Sequence, residues 1–239
     1  AIAVIACRVF EAEIAAAAPD SRHIVRRETF EMGLHDQPDV LRARLREALA
    51  RAESPPAVEA VVLVYGLCGR ALVGLAPQRC PLIVSRVHDC IGLLLGGNAR
   101  HAACLQAEPG TYWYSPGWNR GGRAAGPART AQLKNEYTQR FGADDAAALL
   151  EMERDALAQH TRAGYTDHRL PGDDAQRRAA GRCAQAQGWP LDYHPGDPAL
   201  LHDLLHGPWD DARFLVVTPG QCIAQSVDAR VMRAAPLSP

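Results

Sequence analysis

Long hydrophobic runs are missing from this sequence of 239 residues. No apolar stretch approaches the roughly 18 residues that a membrane-spanning helix needs, so we expect no membrane association. The N-terminal segment AIAVIAC is apolar, but no basic segment precedes it, which favours a first strand over a secretory signal.

Stretches rich in basic residues that could bind nucleic acid are missing too. The formal net charge is -1 with interspersed signs, so we expect no nucleic-acid partner.

Three common catalytic motifs are also missing. The sequence has no G-x-x-x-x-G-K-[ST] phosphate loop, no G-x-G-x-x-G after a strand and no G-x-S-x-G elbow. Each motif supplies backbone N–H groups or a nucleophile at a fixed turn, and the chemistry depends on that turn. Their absence argues against an ATPase, a dinucleotide-dependent enzyme and an α/β-hydrolase.

Cysteine, in contrast, is well represented in the sequence. The chain has seven cysteines, an odd count, and they do not form a short, disulfide-dense framework. In a chain of this length, such a pattern favours reduced thiols and a cytoplasmic location, with some thiols used for metal binding or catalysis.

Apolar segments alternate with helical segments along the chain, and the apolar segments are continuous rather than alternating with polar residues. The strongest are AIAVIA (1–6), AVEAVVLVYG (57–66), PLIVSRV (81–87) and FLVVTPG (214–220). This pattern predicts an α/β fold with a mostly parallel sheet and helices on both faces.

We expect a single α/β domain over residues 1–239, with sub-lobes at 1–118 and 119–239 as a finer division. Two related Rossmann-like halves are an alternative, because VVLVYGLCG and FLVVTPGQC are weakly similar. We also expect a helix over 144–163, and we interpret FLVVTPG as the last strand.

Several cysteines follow the predicted strands closely. Cys7 follows the first strand, Cys68 follows the valine-rich strand, and Cys90 follows PLIVSRV. Ligands bind beyond the carboxyl ends of strands in parallel sheets, so these cysteines should share one edge. Cys222, after FLVVTPG, would join them if that strand is also parallel. We interpret the other three as structural: Cys80, Cys104 and Cys183.

The segment His88-Asp89-Cys90 is the most specific local signal. A histidine and a cysteine two residues apart at a helix start can reach one metal ion, and zinc suits mixed nitrogen and sulfur ligands. Iron or an iron–sulfur cluster is an alternative. The helix N-terminus favours a thiolate, and Asp89 is either an orienting residue or simply a favourable first-turn residue. We predict Cys7, Cys68, Cys90 and His88 as metal ligands.

Other polar and aromatic residues could line the same crevice. Arg86 and Tyr65 are candidate catalytic residues beside His88 and Asp89, since a buried arginine is costly unless it is paired or lies at a site. The candidate cofactor-binding residues are Gly66, Gly69, His35, Tyr112 and Trp118. The glycines could instead form a tight turn, and the aromatic residues could instead close the sheet edge.

Ordered motifs give the chain a family resemblance. The segments IACRVFEAEI, GLHDQPDVL, VYGLCG, VHDCIGLLLG and GTYWYSPGW, with HPGD, LLHGPWDD and FLVVTPG later, resemble the bacterial and archaeal domain-of-unknown-function family 1638. The resemblance implies an association with corrinoid-dependent methyl transfer, and so a corrinoid or methyltransferase partner protein. Near Tyr165 the polar sequence Thr-Asp-His-Arg departs from the apolar strand that the family implies. The family's characteristic positions are Cys7, His35, Tyr65, Gly66, Cys68, Gly69, Arg86, His88, Asp89, Cys90, Gly110, Thr111, Gly117 and Trp118.

A looser similarity concerns zinc methyltransferases that alkylate thiols. They use a His-x-Cys pair and a distant cysteine, and His88 and Cys90 match the pair. The order differs, because Cys7 and Cys68 precede the pair, and those enzymes are usually barrels, which this chain is too short to build comfortably.

These observations support three hypotheses. The first is a metal-dependent transferase that activates a thiol or similar nucleophile of a small-molecule substrate for one-carbon transfer, with His88 as ligand or base. The second is a non-catalytic carrier of a corrinoid, an iron–sulfur cluster or a metal. The third is metal-free catalysis by a cysteine nucleophile with His88 as its base.

Overall fold

The structure is a computed structural model that describes residues 1–19 and 21–237. Its strands are β1 (Ile2–Cys7), β2 (Ile24–Phe30), β3 (Ala60–Val64), β4 (Leu82–Ser85), β5 (Thr111–Tyr114), β6 (Arg162–Asp167), β7 (Leu191–Pro195), β8 (Phe214–Val217), β9 (Gln221–Gln225) and β10 (Met232–Pro236). Its α-helices are α1 (Glu11–Ala17), α2 (Pro38–Ala52), α3 (Cys90–Leu94), α4 (Asn98–Ala107), α5 (Pro116–Arg120), α6 (Pro127–Phe141), α7 (Ala143–Leu157), α8 (Asp173–Gln187) and α9 (Ala199–His206). Short 3-10 turns cover Arg8–Phe10 and Leu34–Asp36.

The chain forms two compact units. The first contains Ala1–Ala102 together with the chain from Gly196 onward, and the second contains Ala103–Pro195. The boundary that the sequence suggests, between 118 and 119, lies inside the second unit. Among the described residues, no helix combines the length and apolar character that a membrane crossing requires.

The first unit is built on a five-stranded sheet in the order β2-β1-β3-β4-β8. The strands β2, β1, β3 and β4 are parallel, and β8 is antiparallel to β4 at the edge. Residues on one face of the central strands pack with the leucines of α2, while α9 packs against β3 and β4 and contacts α1. The central strands are buried except at Cys7, the last residue of β1, which explains their continuous apolar sequences.

The second unit has a three-stranded parallel sheet in the order β5-β6-β7. Helix α8 packs against β6 and α5, and α6 packs against α7. Tyr114 and Tyr165 are its largest fully buried side chains, and they contact alanines of β6 and α8. The predicted α/β class with mostly parallel sheets is confirmed by both units.

Three expectations about single elements are wrong. The helix predicted over 144–163 ends at Leu157, because residues 162–167 pair on both sides as the central strand β6. The polar segment near Tyr165 does form a strand, because β6 pairs with both of its neighbours. Two of its charged side chains form ion pairs, Arg162 with Glu108 and Asp167 with Arg177. The segment FLVVTPG is not the last strand, since β9 and β10 follow it as an antiparallel hairpin.

The antiparallel direction of β8 also changes the position of Cys222. The carboxyl end of β8 lies at the opposite edge of the sheet from the carboxyl ends of β1, β3 and β4. Cys222 lies in β9 and does not share the edge that we predicted for it. Edge strands are often antiparallel in otherwise parallel sheets, and an apolar sequence does not reveal direction.

Candidate functional site

Three cysteines lie at the carboxyl edge of the parallel strands in the first unit. Cys7 is the last residue of β1, Cys68 lies in the loop after β3, and Cys90 is the first residue of the helix after β4. The strands β1, β3 and β4 are adjacent and parallel, so their carboxyl ends meet at one edge.

A close approach of two loops brings Cys68 towards Cys90. A Cβ atom on Gly66 would lie 2.5 Å from the Cα atom of Asp89, so only glycine fits there. Beyond it, the N–H of Cys68 donates to the carbonyl of His88 at 3.0 Å, which continues the parallel pairing past the strand ends. Gly66 therefore allows the close approach of the two loops, and its predicted role in cofactor binding stays a prediction.

The loop that carries Cys68 has an unusual backbone. Cys68, Gly69 and Arg70 all have positive φ values, of 47°, 62° and 71°. Two of these residues are not glycine, and such conformations persist only where the surrounding structure holds them. A Cβ atom on Gly69 would lie 3.6 Å from the carbonyl oxygen of His35, so the loop of His35 packs on this turn.

The three thiols influence one another electrostatically. Burial, followed by negative charge at Cys7, raises the pKa of the Cys68 thiol to about 12. Burial, followed by charge at Cys68, Asp89 and Cys7, raises the pKa of Cys90 well above its ordinary value. Burial also raises the pKa of Cys7. Each of these thiols therefore lies within electrostatic range of another, and without an added cation all three are neutral at neutral pH.

Backbone N–H groups partly offset this penalty. The backbone N–H of Val9 favours the thiolate of Cys7, and the backbone N–H of Gly66 favours the thiolate of Cys68. The Cys90 sulfur interacts with its own backbone N–H at the start of α3. Each of these contacts lowers the pKa of the thiol, because it favours the thiolate. Burial and the backbone N–H groups therefore act in opposite directions on the pKa values of Cys7, Cys68 and Cys90.

Tyr65 provides an unpartnered hydroxyl group beside these thiols. Its side chain is 3% exposed, and its hydroxyl oxygen has no hydrogen-bond partner among the described residues. Burial, followed by charge at Cys7 and at Cys68, raises the pKa of Tyr65. A buried tyrosine hydroxyl usually has a partner, so this group is available to a molecule or ion bound at the thiols.

The thiols suit a thiophilic metal by their chemistry, but not by their spacing in this conformation. In the part of the chain that the structure describes, no group of three or more His, Cys, Asp or Glu side chains is positioned to hold a metal ion. Neutral thiols are poor ligands, because metals bind the thiolate form. Cys7, Cys68 and Cys90 would have to lose their protons and change rotamers to share one ion.

His88 contacts the neighbouring loops through its backbone. The residue is exposed, its N–H donates to Oδ1 of Asn98 at 3.1 Å, and its carbonyl accepts from Cys68. Its ring forms no hydrogen bond with any described residue. The contacts of His88 are therefore made by its backbone, and its predicted role as ligand or base stays a prediction.

Asp89 is the N-cap of α3. Its side chain accepts a hydrogen bond from the N–H of Gly92 at 2.9 Å, and its Oδ1 lies 3.5 Å from Nδ1 of His101. The carboxylate contributes to the raised pKa values of Cys68 and Cys90. Asp89 thus stabilises the helix start and adds negative charge beside the thiols.

Arg86 is paired with the edge of the sheet rather than with the thiols. Its Nε donates to the carbonyls of Asp211 and Phe214, at 2.9 and 3.2 Å. Its remaining nitrogens bond the carbonyl of Met232 and the carboxylate of Asp211. These bonds connect β4 to β8 and β10, so the structure gives Arg86 a stabilising contact that explains its burial.

The predicted aromatic pair lies in the second unit. The indole N–H of Trp118 donates to the hydroxyl of Tyr112 at 3.1 Å, and the N–H of Ala125 donates to the same hydroxyl at 3.1 Å. The Tyr112 ring stacks on Trp189 with a centroid distance of 5.4 Å. These contacts agree with the alternative in which the aromatic residues close a sheet edge.

Cys104, which the sequence leads us to interpret as structural, lies beside a histidine that the sequence does not connect with it. Its sulfur lies 3.7 Å from Nδ1 of His194, a residue 90 positions later. Within the sequence, the local indication of a site is Glu108, which follows Cys104 by four residues and would lie on the same helix face. The distant histidine could not be identified without the fold.

Comparison with known proteins identifies the family of this chain. No curated protein and no solved structure matches the chain. The model of one family, described as Protein of unknown function (DUF1638), matches residues 29–205. The matched segment includes Cys68 and Cys90, whereas Cys7 precedes it. Since the match covers most of the sequence, the chain belongs to the DUF1638 family, as its motifs suggest.

Proposed function

We propose that this protein is a metal-dependent transferase whose Cys7, Cys68 and Cys90 bind one thiophilic metal ion or cluster. The observation that carries the proposal is the position of three thiols and the unpartnered hydroxyl of Tyr65 just past the carboxyl ends of three adjacent parallel strands. Metals with thiolate ligands form a short list, in which zinc is the first choice and iron the second.

The number of ligands favours catalysis over a purely structural metal. Structural zinc sites use four protein ligands, whereas catalytic sites use three and keep one position open. An open position allows a substrate thiol or similar nucleophile to lose its proton at neutral pH. The substrate would be a small molecule, and one-carbon transfer with a corrinoid or methyltransferase partner protein is the reaction that the family context favours.

A carrier of an iron–sulfur cluster, a corrinoid or a metal is the second candidate. The N–H groups near Cys7, Cys68 and Cys90 favour it, because hydrogen bonds to sulfur tune iron–sulfur clusters. A metal-free nucleophile among these three thiols has less support, because their raised pKa values reduce the thiolate fraction.

Metal analysis of protein purified without added metal tests the proposal. We expect about one zinc or iron ion per chain, or the visible absorbance of a cluster, and we expect Cys68→Ser to abolish it. The matched control is Cys222→Ser, which replaces a partly exposed cysteine in β9 and should retain the full metal content. A content far below one ion per chain without an iron chromophore, or full retention by Cys68→Ser, would contradict the proposal.

Turnover separates the two candidates once the metal is known. A transferase should alkylate a small thiol with a methyl donor, and the loss of metal in Cys68→Ser should remove this activity. A carrier should retain its cofactor through purification without turnover. His88→Gln tests the proposed base, because it should lower turnover without lowering metal content.

A further inference from the structure

The second unit contains a cluster of thiol, imidazole and carboxylate. Cys104 lies in α4, Glu108 directly follows that helix, and His194 lies in β7. The Cys104 sulfur is 3.7 Å from Nδ1 of His194, and Nε2 of His194 is 3.8 Å from Oε2 of Glu108. We propose that Cys104 is a second reactive centre: a nucleophile with His194 as its base and Glu108 as the residue that positions the base.

The local structure explains why these three residues meet. Cys104 and Glu108 are four positions apart, and the N–H of Glu108 donates to the carbonyl of Cys104 at 2.9 Å. The two side chains therefore lie on the same face, one turn apart. His194 approaches that face from β7 and places one ring nitrogen near each of them. A nucleophile, a base and a carboxylate in this order is the arrangement of activated cysteine and serine enzymes.

Neighbouring charges hold the carboxylate. Arg162 of β6 lies 3.0 Å from Oε1 of Glu108, and it also binds Asp192 on the adjacent strand. The charged groups identified around the Cys104–His194 pair are thus Glu108, Arg162 and Asp192. Arg162 therefore forms ion pairs with both Glu108 and Asp192, and Glu108 faces the arginine with one oxygen and the imidazole with the other.

An aromatic side chain fixes the ring from another direction. The rings of Trp113 and His194 lie 4.8 Å apart, centre to centre. A Cβ atom on Gly164 would lie 2.9 Å from the Trp113 ring, so glycine at this position of β6 allows the indole to lie across the sheet. The imidazole is therefore held by packing as well as by its polar neighbours.

Access and composition favour a nucleophile over a metal site. Cys104 is partly exposed, and the side chains of His194 and Glu108 are 18% and 27% exposed. Small reagents can therefore reach the sulfur. Among the described residues, Cys104 and its neighbours do not form a group positioned to hold a metal ion, and a distance of 3.7 Å from sulfur to nitrogen fits a hydrogen bond.

The substrate class is a carbon electrophile with a leaving group that accepts a proton. The proton of the Cys104 thiol passes to Nδ1 of His194, and the sulfur forms a bond to the electrophilic carbon. The bond from that carbon to the leaving group breaks, and the leaving group departs with the electron pair. The imidazolium then donates its proton to the leaving group, so no other reactant is needed.

Alkylation with iodoacetamide, followed by mass spectrometry of each cysteine, tests this proposal on the full-length protein. At about pH 6 we expect Cys104 to react at least roughly tenfold faster than Cys222 in the same sample, because thiolates rather than thiols are alkylated. His194→Gln should slow Cys104 about tenfold and leave Cys222 unchanged. Glu108→Gln should slow Cys104 less and move its rate-against-pH profile towards that of His194→Gln.

Two outcomes would overturn the proposal. One is equal reaction rates of Cys104 and Cys222 in the wild-type protein, and the other is an unchanged Cys104 rate in a folded His194→Gln variant. If circular dichroism shows that His194→Gln does not fold, the wild-type ratio of the two rates decides by itself. The metal content of the thiols in the first unit is not involved, so the two proposals can fail separately.

Discussion

In the first unit three thiols and Asp89 lie at the carboxyl edge of adjacent parallel strands, whereas in the second unit one thiol lies 3.7 Å from an imidazole nitrogen. The first arrangement accumulates negative charge when the thiols ionise, and this raises the pKa values of Cys68 and Cys90 beyond the effect of burial. The second arrangement contains its own proton acceptor. Thus a group of thiols needs an external cation to become reactive, and a thiol–imidazole pair does not.

The largest expected effect concerns the loop contact that assembles the first site. Gly66→Ala would place a methyl group 2.5 Å from the backbone of Asp89, so one of the two loops must move. We expect the free energy of unfolding to fall by about 2–3 kcal/mol, measured by urea denaturation, because backbone cannot yield as a side chain does. Alkylation of Cys104 in the second unit should keep its wild-type rate.

Gly181→Ala is the matched control for this substitution. Gly181 lies within α8, and a Cβ atom there would have no neighbour within 4 Å. Alanine should stabilise the helix by up to about 1 kcal/mol. A Gly66→Ala variant as stable as Gly181→Ala would show that the two loops do not need this contact, and that the thiols of the first unit are held together by something else.

The next effect is a pH dependence of the metal-free protein. Cys7, Cys68 and Cys90 have pKa values that are raised in the folded state, so the folded protein holds their protons more tightly than the unfolded chain does. Stability is therefore complete below the unfolded value of about pH 8.5 and is lost as the pH rises towards 12. Each such thiol should contribute a fall of about 1.4 kcal/mol per pH unit.

Urea denaturation between pH 7 and 10.5 after metal removal measures this slope. Cys68→Ala should reduce the slope by the contribution of about one proton, because one thiol is gone. Gly181→Ala removes no thiol and should keep the wild-type slope. A metal-free protein whose stability does not change over this range would show that the thiols are not buried together as described.

Much of the first site could be predicted from the sequence, for a simple reason. Continuous apolar strands indicate parallel neighbours, and parallel strands bring their carboxyl ends to one edge, so positions just after strands predict proximity. Cys7, Cys68 and Cys90 follow from that rule. Cys222 does not, because the direction of β8 depends on its connection rather than on its apolar residues.

The second site could not be predicted in this way. Cys104 and His194 are 90 residues apart, and their contact depends on how α4 packs beside β7. The hydrogen-bond partners of Arg86 could not be predicted either. They are Asp211, Phe214 and Met232, which lie more than a hundred residues further along the chain. Long-range polar contacts have no periodic signal in a single sequence.

The smallest expected effect is on the free energy of unfolding when one buried tyrosine in each unit is replaced by phenylalanine. The Tyr65 hydroxyl has no described partner, whereas the Tyr114 hydroxyl donates to the carbonyl of Ala125 at 2.8 Å. Tyr65→Phe should raise the free energy of unfolding of the metal-free protein by about 1 kcal/mol, and Tyr114→Phe should lower it by about 1 kcal/mol.

The sign of the Tyr65 effect is decisive, because a buried hydroxyl without a protein partner lowers stability unless a bound group satisfies it. Tyr65→Phe should therefore also lose metal faster to a chelator than the wild-type protein does. If Tyr65→Phe destabilises the protein as Tyr114→Phe does, its hydroxyl has a partner in the folded chain, and the case for a ligand beside Cys7 and Cys68 is weakened.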